Sequence, residues 1–95
     1  MPVFMIERNF AEQLEISKDA ADAVRAINDD VGVRWIVSFL SADKKKSYCL
    51  YEAPDPEAIR EAAQRAGIPA DVIIETGLTV SPSGQLADIN AAAFV

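Results

Sequence analysis

The chain has 95 residues, 51% of them hydrophobic, with nine basic residues against fifteen acidic ones for a net charge of −6. That length supports one hydrophobic core and excludes a second domain. The negative balance repels nucleic-acid phosphates and anionic lipid, so neither nucleic acid nor a membrane surface is expected as a partner.

A core of this size is marginal on its own, and a second copy would add buried surface, so a homo-oligomer is expected. The single cysteine, Cys49, has no partner for an internal disulfide, and the N-terminus lacks the basic-then-apolar pattern of a secretory signal. The expected compartment is therefore the cytoplasm. No apolar run approaches the ~18 to 20 residues that span a bilayer.

In chain order, Val3-Phe4-Met5-Ile6 followed by Glu7-Arg8 reads as a first strand. After a loop, Ser17 is a good N-cap, Asp19 suits the first turn, and Ala20, Val24, Ile27 and Val31 recur at helical spacing up to Gly32. The β-branched and aromatic runs Val33 to Leu40 and Ser47 to Ala53 flank a polar turn that holds Lys44-Lys45-Lys46, and read as a hairpin. The lysine run reads as a solvated hairpin tip or an edge guard.

Asp55-Pro56 opens a second helix, predicted over Pro56 to Ala66, which Gly67 and Pro69 end. Its inner face, Ile59, Ala62, Ala63 and Ala66, is nearly all methyl groups and predicts close packing on the sheet. Val72 to Val80 reads as a fourth strand. Residues 1–80 thus form the expected domain, and residues 81–95, with Pro82, Gly84 and an Ala-rich end, a C-terminal tail. The order β, α, β-hairpin, α, β is that of a ferredoxin-like α+β fold, a four-stranded antiparallel sheet in order 4-1-3-2 with two helices on one face.

Alternation along each strand assigns side chains to faces. Phe4 and Ile6, Val33, Trp35, Val37 and Phe39, and Cys49, Tyr51 and Ala53 are expected to face the helices, together with Ile74, Thr76, Leu78 and Val80. The opposite face would then expose Val3, Met5, Ile36, Leu40, Tyr48, Leu50 and Ile73. A monomer rarely leaves such a patch in water, so a homodimer through this open face, a two-sheet barrel, is expected. With the first and third strands parallel and adjacent, and the second and fourth antiparallel to them, Glu7, Glu52, Glu75 and Arg34 are expected to converge at one end of that face. The gathering reads either as a salt-bridge network that sets register, with Arg8 added across the dimer, or as an oxygen-lined site for a divalent cation or a polar ligand. In the second reading Glu7, Glu52 and Glu75 are the metal ligands, and Arg34 and Tyr48 the ligand-binding residues.

Much chemistry is absent. The chain has no histidine, which removes the commonest general base and the preferred ligand of zinc, nickel and copper. It has no GxGxxG, no GxxxxGK[ST] and no CxxC. Cys49, on the inward side of an apolar strand, reads as a buried structural thiol.

The stretches Gly32-Val33-Arg34-Trp35, Ser47-Tyr48-Cys49-Leu50-Tyr51-Glu52-Ala53-Pro54 and Glu57 to Ile68-Pro69-Ala70-Asp71, with Met5-Ile6-Glu7-Arg8 before them, carry a resemblance. Over most of residues 3–80 the chain resembles a small bacterial nickel-binding-protein family of ferredoxin-like dimeric α/β barrels, otherwise described as a domain of unknown function. The resemblance implies a homodimer and a divalent metal ion, nickel. The chain departs from the family pattern where Glu61-Ala62-Ala63-Gln64 stands at the place of a helix histidine, so a retained metal would be oxygen-bound. The expected function is a small, non-catalytic metal- or ligand-binding homodimer. The alternative is a dimeric-barrel enzyme of the small monooxygenase or isomerase type, with a hydrophobic substrate between sheet and helices and Tyr48 or Glu52 as acid or base.

Overall fold

The fold was obtained as a computed structural model that describes residues 1–94. Val95, the last residue of the expected tail, lies outside the described residues. The main elements are β1 (Val3–Asn9), α1 (Lys18–Val31), β2 (Arg34–Leu40), β3 (Lys46–Glu52), α2 (Pro56–Ala66) and β4 (Val72–Thr76). They are followed by β5 (Leu78–Val80), β6 (Leu86–Asp88) and a short 3₁₀ turn, Ala91–Phe94.

Both helices begin and end where their local chemistry directs. Ser17 Oγ accepts from Ala20 N at 3.1 Å, and Asp55 Oδ1 accepts from Ala58 N at 2.9 Å, each satisfying one of the N–H groups a helix start leaves unpaired. Gly32 and Gly67 close the two helices in the left-handed conformation, at φ 84° and 69°, which a Cβ would strain.

β1 to β4 form one antiparallel sheet in the order β2-β3-β1-β4. Phe4, Ile6, Cys49, Tyr51 and Ala53 point to the side on which Ile27 and Val31 of α1 and Ile59 and Ala62 of α2 pack, and make the core there. Ala62 and Ala63 of α2 are buried, as their methyl-only face predicted.

Four expectations about the sheet are corrected. First, β1 and β3 run antiparallel, with Val3 opposite Glu52 and Glu7 opposite Tyr48. A helical crossover returns the chain so that β2 shares the direction of β1, and the hairpin then turns β3 against both. Second, the β2–β3 register shifts between Trp35 and Val37. The extra residue of this bulge, Ile36, inverts the alternation, so that Trp35 lies on the helix side opposite Tyr51, and Ser38 opposite Cys49. Val37 and Phe39 therefore face away from the helices.

Third, Ile6 pairs with Ile73 and Phe4 with Glu75, so Ile73 and Glu75 lie on the helix side, and Val72, Ile74 and Thr76 on the other. Fourth, the expected strand over residues 72–80 divides at Gly77. Beyond it β5 pairs with β6 as a separate hairpin, Leu78 opposite Asp88 and Val80 opposite Leu86.

Candidate functional site

The outer face of the sheet is a grid of three rows set by the strand register. Phe39, Tyr48, Glu7 and Val72 form the first row, and Val37, Leu50, Met5 and Ile74 the second. Arg34, Glu52, Val3 and Thr76 form the third. The middle row is wholly apolar and separates the polar ends.

The sequence-derived site is dispersed by this grid. Glu7 and Glu52 stand in the first and third rows, four positions apart along the strands, or about 13 Å at ~3.3 Å per residue. Glu75 is on the opposite face of the sheet. Only Arg34 and Glu52 meet, as an ion pair at 3.6 Å in which the arginine is mostly exposed. Tyr48, at the far row beside Glu7 and Phe39, does not join them. The two candidate ligand-binding residues, Arg34 and Tyr48, thus lie on either side of the apolar row.

The chain's own tail covers part of this face. Leu50 is only 4% exposed, and a groove of about 390 Å³ runs between Met5, Leu50 and Thr76 below and Ile89, Asn90 and Phe94 above. Phe94 meets Phe39 edge to face, with ring centroids 6.5 Å apart. Beyond the tail, Phe39 and Ile74 remain 50% and 56% exposed.

The helix side holds the polar group that sequence reasoning misplaced. Arg8, expected across a dimer, is 3% exposed on the inner face. Its Nη1 donates to the Pro69 carbonyl at 2.5 Å, and its guanidinium carbon lies 5.8 Å from the centre of the Tyr51 ring. The parity that turns Phe4 and Ile6 inward turns Arg8 inward too, once β1 is carried through Asn9. Nearby, Trp35 Nε1 donates to Ser38 Oγ at 2.8 Å, and Ser38 Oγ donates to Cys49 Sγ at 2.9 Å. Burial pushes the Tyr51 hydroxyl above its ordinary titration range, against the opposing pull of the Arg8 charge and the Asn28 side chain.

The family model of nickel-responsive proteins described as SCO4226-like matches residues 4–76. The chain belongs to the SCO4226-like family. The crystal structure of SCO4226 from Streptomyces coelicolor A3(2) superposes on it with a TM-score of 0.67 at 30% identity, covering 81% of this chain and 98% of that one. No match to a curated protein was found.

The donor set of this SCO4226-like chain does not fit a nickel site within one subunit. It has no histidine, and Cys49 is buried with Ser38 as its hydrogen-bond donor. Among the described residues, no group of three or more Cys, Asp or Glu side chains could hold an ion. The enzyme alternative gains nothing from the family or the geometry. Tyr48 and Glu52 stand on the outer face, away from the space between sheet and helices in which the substrate was placed. No helix among the described residues is long and apolar enough to cross a membrane.

Proposed function

We propose that this SCO4226-like protein is a small, non-catalytic binding protein that works as a homodimer, in which the outer faces of two sheets meet as a ferredoxin-like dimeric α/β barrel. The apolar side chains that the tail leaves exposed on this face, Ile74 at the end of the middle row and Phe39 and Val72 of the first row, carry the reading, because such a face is stable in water when it is covered. The tail supports it as well. Leu78, Val80 and Leu86 are exposed on a two-stranded hairpin, an element that is marginal alone and gains most by lying against a second copy.

The nickel response named in the family description reaches this chain in altered form. With carboxylate oxygens, such as those of the half-buried Glu7, as the candidates among the described residues, any cation is held weakly and without preference for nickel over harder ions. Light scattering after gel filtration tests the dimer. A mass of twice the chain is expected, and Ile74→Glu is expected to halve it; a monodisperse wild-type monomer sinks the proposal. Calorimetric titration of metal-stripped protein with nickel, manganese and calcium tests the second part. Weak heats of similar size are expected, and tight, nickel-selective binding would overturn it.

A further inference from the structure

Arg8 is buried without an acidic partner among the described residues. The chain has fifteen acidic residues, yet among the described residues none forms an ion pair with this guanidinium. Its guanidinium donates to the Pro69 carbonyl, lies over the Tyr51 ring and shares a side-chain hydrogen bond with Tyr51, and a guanidinium has five N–H donors. None of these partners carries a negative charge, and a buried cation is compensated best by one that does. The surroundings say where such a partner would sit. Arg8, Ser47 and Cys49 line one end of a cavity of about 70 Å³ whose other walls are Phe10, Val24 and Ile68. Leu14, Ile16, Trp35 and Ser47 are shared with a second, wider groove of about 430 Å³, which Leu40, Ala21 and Lys18 also line. The two adjoin as one path along these shared residues, and its surface is mostly apolar, with Arg8 and Ser47 among the few polar side chains that line the smaller part.

We infer that this path between the sheet and α1 binds a small amphipathic carboxylate, its head on Arg8 and Ser47 and its apolar body along Trp35, Leu14 and Ile16. A planar carboxylate matches the guanidinium fork, supplies the missing negative charge, and accepts donors that Pro69 leaves unused. The bulge at Ile36 opens the path, because it turns Ser38 inward where alternation would have placed the larger Val37. This site lies on the opposite face from the proposed dimer contact and stands independently of it.

Decanoate is the probe, with decanol as its uncharged counterpart, both below their aggregation concentrations. Trp35 is the only tryptophan in the chain, so its emission reports on the path directly. Decanoate is expected to change that emission saturably and to bind about ten-fold or more tighter than decanol, the size of a charged hydrogen-bonded contact. Arg8→Met is expected to remove the preference while leaving decanol binding in place. Leu14→Phe, in the loop between β1 and α1, is expected to weaken both ligands. A wild-type protein that binds neither ligand, or binds decanol as tightly as decanoate, overturns the inference whether or not Arg8→Met folds. Binding unchanged by Leu14→Phe would overturn it too.

Discussion

Ser38 Oγ donates to Cys49 Sγ at 2.9 Å across the β2–β3 pair, and the same oxygen accepts from Trp35 Nε1 at 2.8 Å. One hydroxyl thus ties the edge strand to its neighbour and orients the indole that walls the inner path. Ser38→Ala removes both bonds and leaves the half-buried indole N–H unpaired, so a loss of about 1 to 2 kcal/mol is expected in urea unfolding. The emission of Trp35 should shift at the same time. Unchanged stability together with unchanged emission would mean that the chain of bonds contributes nothing.

Ile59 is 0% exposed at the centre of the α2–sheet contact, where its neighbours Ala62 and Ala63 have no larger side chains to collapse into a gap. Ile59→Ala is expected to cost about 2 to 5 kcal/mol, near the top of what a domain of this size can lose and stay folded. The check is the denaturant midpoint, and a loss below that of an exposed apolar truncation such as Val80→Ala would contradict the packing described.

Asp55 holds the first turn of α2 through Ala58 N, and Pro56 follows at the first helical position. Asp55→Ala should lower stability by about 1 kcal/mol, whereas Asp55→Ser should restore most of it, because the cap needs an acceptor oxygen rather than a charge. Thermal unfolding of the two variants side by side decides this.

Tyr51 predicts an alkaline limit. Burial raises its folded titration point above the ordinary 10.0, so above that pH the unfolded chain gives up this proton more readily than the folded one. The unfolded state then binds fewer protons, and stability falls as pH rises, while below the ordinary value the contribution is fully present. Urea midpoints from about pH 8 to about pH 11 should fall at the alkaline end in the wild type and less steeply in Tyr51→Phe. Parallel curves for the two proteins would show that another group sets the limit.

The positions of the two helices were readable from local signals. Ser17, Asp55-Pro56, Gly32 and Gly67 act on hydrogen bonds within a few residues of themselves, and no distant contact is needed to interpret them. The strands were legible as apolar runs, and β1 and β3 carried their faces correctly because they are regular. The candidate site was legible only in its pieces. Glu7, Glu52, Glu75 and Arg34 were each identifiable, but their meeting depended on strand direction and on two face assignments.

Composition, charge and local pattern by themselves determined two capped helices, a sheet with an apolar outer face, and the absence of histidine chemistry. Tertiary structure alone decided the rest. The bulge at Ile36 and the pairing of Ile6 with Ile73 reversed the faces of half of β2 and all of β4, since a one-residue change of register moves every following side chain across the sheet. The antiparallel run of β1 and β3 parted Glu7 from Glu52, and the continuation of β1 to Asn9 buried Arg8. Those are long-range facts, fixed by which strand lies beside which, and they parted the carboxylates of the outer face and carried the Arg8 guanidinium to the inner one.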